Sequence, residues 1–464
     1  MQIPLISGIG ATEAADFFTS YPVNLEPVAL DNGISKGYVR SASGALSTAT
    51  GPGSDRGGIV WNGVQYRVMG TKLISVSSAN AVTILGDVGA GGPVALDYGF
   101  DRLAIQSGTR LYYWNGTTLT QVTSPNLGQC LDVVWMDGYY ISTDGTSIVV
   151  TQLNDPTAID ALKYGSAEAD PDMVTGLARL RNELYVFGQN TIEVMTDQGG
   201  NGFPFASSPG ATIPIGCVAP RAKTRFLQSL AFVGSGRNQA IAVWVVGSGT
   251  ATKISTRQID DLLAKVTDPT QIEVESRISR GEERLLVHLP DKTLVCLQEA
   301  TAKVGEPVWY VANSGRGMEK PYRPRHATLV GNQWYVGDTE TGAIGVLTDD
   351  SGEHFGEAVG WRFDTQLLYH ATNSFIIHSL ELVGLPGRHL TAPDPAAFFS
   401  YSLDGETFSV ERANTMGKPA QRRKRVVWNI HKRVRNYAIL RFRGDSTALA
   451  GWAALEADME PLSA

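Results

Sequence analysis

Short runs of alternating apolar and polar residues, joined in pairs by glycine-bearing turns, recur along most of this chain. The clearest is Leu184-Tyr-Val-Phe-Gly-Gln-Asn-Thr-Ile-Glu-Val-Met-Thr196, with aromatic and β-branched residues on both sides of a Gly-Gln-Asn turn. That pattern predicts a β-hairpin. The same shape returns at Tyr66–Val76, Leu103–Trp114, Tyr139–Val150, Leu285–Leu297 and Trp334–Val346, and more loosely at Leu230–Val246. The turns fall near Gly70, Gly108, Gly145, Gly188, Gly236, Asp291 and Gly337, at intervals of 38, 37, 43, 48, 55 and 46 residues. Propeller blades, each a four-stranded antiparallel sheet, repeat at roughly 40 to 50 residues. One blade cannot bury both of its faces, so blades stack around an axis. The predicted fold is therefore mainly β, a degenerate β-propeller built from repeated antiparallel hairpins. A long β-sandwich, or two in succession, is the alternative that hairpins alone allow.

Three regions follow from the texture of the chain. Residues 1–55 read as an N-terminal extended arm, since Pro22 and Pro27 bias their predecessors away from helix. Phe17, Phe18, Tyr21 and Tyr38 argue that this arm packs on the body or on a neighbouring subunit. Residues 56–350 read as the propeller-like domain. Asp155-Pro156 and Asp170-Pro171 mark loops between blades, and Gln258–Val266 is the best helix candidate, ended by Asp268-Pro269. The Gly- and Pro-rich stretch Gly199–Pro220 reads either as a surface finger or as a disordered insertion. Residues 351–464 carry longer strands at Trp361–Tyr369, Ile376–Val383, Phe398–Leu403, Val426–Ile430 and Tyr437–Arg443, with a tight turn at Asp404-Gly405. These form a C-terminal antiparallel, sandwich-like β module.

Composition sharpens this picture. Among 464 residues there are 50 Gly and only 18% charged residues, with 9 Trp, 16 Tyr and 15 Phe, a profile of short strands and tight turns. Cys130, Cys217 and Cys296 lie far apart and imply buried thiols rather than a disulfide framework or a zinc site. The opening ten residues lack the basic-then-apolar build of a secretory signal, and no window approaches 18 apolar residues. No membrane span is expected.

Catalytic signatures are missing. There is no Gly-x-Ser-x-Gly elbow, no phosphate-binding Gly-x-x-x-x-Gly-Lys-Ser/Thr loop and no His-Glu-x-x-His helix, and Gly8-Ile-Gly10 lacks the third glycine of a dinucleotide fingerprint. The histidines His288, His326, His354, His370, His378, His389 and His431 are scattered without metal-ligand spacing. Acid pairs at Asp260-Asp261, Glu282-Glu283 and Asp349-Asp350 read as solvated loop residues before they read as glycosidase carboxylates. The expectation is a protein that is not an enzyme, with no cofactor, no metal, no catalytic residue and no small-molecule substrate.

One charge feature stands out. Between Gln421 and Arg443 lie nine Lys/Arg residues and no acid, and removing them from a net charge of −7 leaves −16 on the rest. The candidate site is the strip Arg422, Arg423, Lys424, Arg425, Lys432, Arg433 and Arg435. Such a strip can neutralise phosphates of double-stranded DNA without reading sequence. It can equally meet an acidic protein surface, including another copy of this acidic body, and that is the preferred reading. Trp428 alternates with Val426 and Ile430 and so belongs to a core face rather than to a base-stacking platform.

Taken in order, several segments resemble one family. Tyr21-Pro-Val-Asn-Leu25 and Gly37-Tyr-Val-Arg-Ser41 are similar to its opening, and Asp137-Gly-Tyr-Tyr140, Thr175–Arg181 and Thr191-Ile-Glu193 to its central repeats. Arg425-Val-Val-Trp428 with Lys432-Arg433-x-Arg435 is similar to its closing basic strands. The family is the tail hub, or packaged-DNA stabilisation (head-completion, tail nozzle) protein, of short-tailed phages of the Salmonella-phage type. The resemblance implies a structural virion protein, assembled in the host bacterial cytoplasm and located in the tail. It implies a homohexameric ring below the portal and its adaptor ring that closes the DNA channel, retains packaged DNA and serves as the exit conduit at ejection. It also implies attachment of tailspike, needle or fibre proteins and non-specific contact with double-stranded DNA. A glycan-binding or glycan-cleaving β-propeller is the alternative.

Overall fold

The hairpins read from the sequence are the second and third strands of larger sheets, and the strands that organise those sheets are the ones without a clear alternating pattern. The computed structural model describes the chain except residues 1, 30–36, 168–169, 171, 201, 209, 248, 371–372, 389–394 and 463–464. Pro171, Asn201, Pro209 and His389 therefore lie outside the described residues. Contacts divide the chain into two units, residues 47–290 with 324–346, and residues 1–46 with 291–323 and 347–464.

The first unit is the propeller. Among the described residues seven strands form its inner wall: Asp55–Trp61 (β1), Ala95–Tyr98 (β2), Asp132–Met136 (β3), Val174–Leu180 (β4), Lys223–Phe226 (β5), Glu273–Ser279 (β6) and Pro324–Val330 (β7). Each touches the next, and β7 returns to β1. The ring is closed at seven blades. β1 to β5 each begin a four-stranded antiparallel sheet, as in Asp55–Trp61, Val64–Met69, Lys72–Val76 and Val82–Asp87. β6 pairs with Glu282–His288, and β7 with Gln333–Asp338, which pairs in turn with Ala343–Thr348. The start of the unit lies against this last blade: Thr48 Oγ1 donates to Ile344 O at 3.2 Å and Gly51 N to Gly342 O at 2.7 Å. Both ends of the segment thus share one blade, which leaves the ring without an open seam.

Local sequence accounts for the hairpins. Asn62-Gly63 and Asp137-Gly138 hold φ of +50° and +76°, and +49° and +91°. This is the left-handed pair that a two-residue hairpin turn demands. The Gly199–Pro220 stretch is neither a finger nor a disordered insertion over its described residues. Phe205–Ser207 forms the outermost strand of the fourth blade against Ile192–Asp197, and Cys217 N donates to Gly188 O at 2.9 Å. The predicted helix forms at Arg257–Ala264, capped by Thr256 and burying Ile259 and Leu263. A second helix, Gln298–Val304 in the other unit, has no clear apolar period.

That other unit is mainly a β-sandwich and also holds the paired strands Thr293–Leu297 and Val308–Ala312. Its C-terminal strands are Trp361–Asp364 (β8), Phe375–Gly384 (β9), Ala396–Ser402 (β10), Arg412–Thr415 (β11), Val426–Val434 (β12), Tyr437–Gly444 (β13) and Gly451–Pro461 (β14). One sheet runs Leu25–Ala29, Gly37–Ser41, β14, β9, β12, with Gln2–Ile3 on β14; the other runs β8, β13, β10, β11. The start of the chain therefore supplies strands to the sandwich. Asn24 fastens it in a left-handed conformation (φ +54°), which asparagine tolerates. Its N–H donates to Val311 O at 2.7 Å, its Nδ2 to Gly360 O at 2.7 Å, and its Oδ1 accepts from Asn313 N at 2.8 Å.

Between the sheets the side chains are aromatic. The rings of Phe363, Phe399 and Trp428 lie 5.2, 5.3 and 5.5 Å from that of Phe442, which is fully buried. Phe442→Ala is expected to destabilise this unit by about 3–5 kcal/mol, through lost transfer energy and a residual cavity. Chemical denaturation followed by tryptophan fluorescence checks this, since Trp428 reports on the same cluster.

Candidate functional site: the basic strip and the axial cavity

The basic strip sits on one hairpin of the sandwich and on the turn that leads into it. Arg422, Arg423, Lys424 and Arg425 are exposed and precede β12, Lys432 and Arg433 lie within it, and Arg435 follows it. Trp428, Val426 and Ile430 face the core, as their alternation predicts, and Trp428 Nε1 donates to Arg412 O at 2.9 Å. Tertiary structure changes the charge, however. Acids absent from the local sequence arrive from β8 and β9 and from the residue just ahead of β11. Arg425 Nε bonds Glu381 at 2.8 Å, Arg441 Nε bonds Asp364 at 2.7 Å, and Arg443 Nε bonds Glu411 at 2.6 Å. The Arg425 guanidinium holds Glu381 below the usual carboxylate range, burial only partly opposing it. Lys432 lies 5.2 Å over the Tyr401 ring, and Arg433 donates to Ser374 Oγ at 3.2 Å. Of the strip, Arg425 alone is in an ion pair among the described residues, and Arg422, Arg423, Lys424 and Arg435 have no side-chain partner of any kind there.

A second candidate was not visible in the sequence. The inner strands of the propeller line an axial cavity of about 380 Å³ that carries Asp97, Asp132, Arg179, Arg221, Lys223, Arg225, Glu273, Glu275, His288 and His326. Interrupted alternation in the inner strands, as in Glu273-Val-Glu-Ser-Arg277, is the only sequence signal for it.

Most of these charges bind one another or the backbone of the next blade. Asp97 on β2 accepts from Trp135 N on β3 at 2.7 Å, and Asp132 on β3 from Leu177 N on β4 at 2.9 Å. Glu275 on β6 accepts from Ala327 N on β7 at 3.2 Å. Asp132 also receives Arg221 Nη2 at 2.5 Å and Lys223 Nζ at 2.6 Å, which outweigh its burial and keep its carboxyl below the ordinary range. Asp97 goes the other way. Burial raises it, and Arg179 stands off at 3.9 Å.

The densest cluster joins the last inner strand to its two neighbours. His326 Nδ1 lies 2.7 Å from Asp55 Oδ2 on β1, and Nε2 lies 3.0 Å from Glu273 Oε2 on β6. Asp55 is fully buried and also takes a two-pronged bond from fully buried Arg67, at 2.8 and 2.7 Å. Gly337 makes room, since a Cβ there would lie 2.1 Å from Asp55 Cγ. Burial pulls the His326 imidazolium down, but the two carboxylates prevail and push it up to about 10. Glu273 and Glu275 are each held at about 2 despite burial, Glu273 chiefly by its hydrogen bond from His326 and Glu275 chiefly by the charge of His288. The acid pairs read as solvated are also more engaged than that: Glu283 Oε1 accepts from Leu227 N at 2.7 Å, and Glu282 is buried.

Cys130, Cys217 and Cys296 are buried and form no disulfide, and burial raises the Cys217 thiol to about 11. No helix among the described residues is long and apolar enough to cross a membrane. Among the same residues no group of three or more His, Cys, Asp or Glu is placed to hold a metal.

These features define a seven-bladed propeller protein with a β-sandwich module, whose inner-wall carboxylates are largely occupied in holding blades together. Comparison with known proteins agrees. Residues 1–352 match the model of the bacteriophage P22 Gp10 β-propeller, and residues 360–460 that of the bacteriophage P22 Gp10 β-sandwich. The chain belongs to the phage P22 Gp10 family, as a Gp10-like stabilisation protein of the phage tail. The tail hub protein gp10 of Salmonella phage P22 is 28% identical over 458 residues, 94% of each chain. Similar solved structures include the N-terminal domain of Nup159, at 9% identity over 64% of this chain and 89% of that one, TM-score 0.40. The Neurospora crassa Pan2 WD40 domain follows at 8% identity, 65% and 95% coverage and TM-score 0.40. At those scores neither adds to the assignment.

Two outcomes test the inner-wall cluster. Asp55→Ala leaves Arg67 buried and unpaired and is expected to cost about 3–5 kcal/mol in a denaturant titration. The stability that His326 contributes is complete below about pH 6.5 and is lost as pH rises toward about 10, because its folded-state value is the raised one. The stability from Glu273 and Glu275 runs oppositely, present above about pH 4.5 and lost as pH falls toward about 2. In His326→Gln the alkaline loss should flatten and the acid limb should shrink toward the part that Glu275 carries, as read from melting temperatures across pH.

Proposed function

We propose that the chain is the tail hub of a short-tailed phage. It forms a ring, a homohexamer, below the portal and adaptor, closes the DNA channel after packaging and retains the packaged DNA. It then conducts that DNA outward at ejection and carries tailspike, needle or fibre proteins. The observation that carries this reading is the family match across both the propeller and the sandwich, together with the near end-to-end likeness to a protein named tail hub. Its role is structural and not enzymatic.

The size of the axial cavity supports one further point. About 380 Å³ is the scale of a small-ligand pocket, not of a duplex. The DNA conduit therefore runs between copies of the chain rather than along a propeller axis. In such a ring a weak contact made by Arg422, Arg423, Lys424 and Arg435 is repeated by symmetry, so modest affinities combine. The surface these cations meet is acidic, another protein in the first instance and channel DNA in the second.

The reading is tested by adding purified protein to DNA-filled heads that carry portal and adaptor but no distal tail, then sedimenting and scoring bound protein and retained DNA. Stoichiometric binding with DNA held in is expected; absence of binding to intact heads overturns the proposal and favours the glycan-binding alternative. The variant with Arg422, Arg423, Lys424 and Arg435 all changed to Gln is expected to keep its melting temperature within the range of ordinary surface substitutions. Its binding to heads should fall at least tenfold and lose much of its salt dependence.

A further inference from the structure

At the exposed end of β9 the sandwich breaks its own register around one residue. Ile377 pairs with Lys432 and Ser379 with Asn429 on β12, so His378 alone faces the two residues Ile430 and His431. On the other side Ile377 pairs with Met459 and Ser379 with Asp458 on β14, so His378 has no opposite number there. His378 is thus the centre of irregularities in both of its ladders. Bulges of this kind re-aim a side chain and gather near functional sites. His431 adds a second departure, a left-handed backbone with φ +46° that a non-glycine residue seldom adopts.

The two departures bring the imidazoles together. His378 Nδ1 lies 3.3 Å from His431 Nδ1, with the rings edge-on at 5.5 Å between centroids and 70° between planes. On the far side of the first ring, His378 Nε2 lies 3.0 Å from Glu460 Oε2 on β14. A carboxylate on that nitrogen holds the N–H there and leaves Nδ1 as a lone-pair donor facing its partner, the arrangement found behind metal-bound histidines. The distance between the two Nδ1 atoms is also informative. It is longer than a typical N–H···acceptor bond of about 2.9–3.0 Å. Two nitrogens each about 2.0–2.1 Å from one zinc at a tetrahedral angle stand roughly 3.3–3.4 Å apart.

We propose that His378 and His431 form a binding site for one divalent transition metal of borderline softness, zinc in the first instance, with Glu460 as the positioning residue. Both ligand nitrogens come from one rigid sheet, so little ordering is needed on binding. Two positions on the metal remain open for water or for a ligand from another molecule. The neighbouring cations Lys432 and Arg433 oppose a bound dication. Their engagement with the Tyr401 ring and Ser374 Oγ holds their ends in other interactions. This proposal does not rest on the tail-hub reading.

The test uses the full chain, stripped of metal with a chelator and titrated with zinc in a non-coordinating buffer by calorimetry. One zinc per chain at micromolar affinity is expected. His378→Ala and His431→Ala should each weaken it at least tenfold, and Glu460→Gln severalfold. Because the variants perturb a bulge, the wild-type chain is also examined alone by ¹⁵N histidine spectroscopy, where zinc should move the Nδ1 resonances of two imidazoles. No zinc binding by the wild type, no movement of an Nδ1 pair, or unchanged binding in the folded double variant overturns the proposal.

Discussion

The propeller depends on one meeting, that of its first and last inner strands. A stack of blades has two raw ends, each a face of apolar side chains and unsatisfied backbone groups, and only closure removes both. Here β1 and β7 meet through Asp55, which is shared by buried Arg67 and by His326, residues 271 positions away in the latter case. An isolated buried carboxylate would be strongly unfavourable, and so would buried Arg67 by itself. Asp55 and Arg67 pair within the first blade, but His326 and the Arg67 bonds to Arg325 O and His326 O arrive only with the last one. The ion cluster therefore stabilises the closed ring as a whole rather than one local element.

The same logic recurs between adjacent blades. Asp97, Asp132 and Glu275 each reach an N–H on the next inner strand, and Arg56 spreads its guanidinium over the carbonyls of Gly70, Gly89 and Gly92 and the Ser107 hydroxyl. Inner strands crowd together at the axis, where hydrophobic side chains would find little area to bury, and directional polar bonds take over. This gives the axial cavity its charge and engages most of its ionisable groups in bonds between blades. Glu273 and Glu275 are held ionised by cationic neighbours, unlike the general acid of a glycosidase, whose carboxyl must stay protonated. The chemistry at the axis is mostly cohesion.

In the sandwich the division of labour is reversed. Its interior is aromatic, with Phe442 near the rings of Phe363, Phe399 and Trp428, and most of its charges are outside, Glu26 and Asp364 being buried exceptions. A rigid sheet is a good platform for surface contacts, since neither the exposed cations before β12 nor the histidines of β9 and β12 need rearrangement to meet a partner or an ion.

Much of this architecture was legible in the chain. Alternation gave the hairpins, because a half-buried strand must place every second residue inward, and Asn62-Gly63 or Asp137-Gly138 fixed their turns through left-handed backbone that few residues accept. Trp428 declared itself core by the same period. The spacing of turns implied blades, though not their number. What the sequence could not show is whatever depends on residues far apart being brought together. The inner strands looked irregular because their polar positions serve neighbours 38 to 271 residues away. The stretch of nine basic residues looked unopposed because Glu381 and Asp364 lie on other strands and Glu411 just ahead of β11. The N-terminal strands gave no sign that they belong to a sheet with β14, and His378 and His431 seemed scattered until a bulge set them 3.3 Å apart. Local periodicity determines which residues face inward; only the closed fold decides which charges meet.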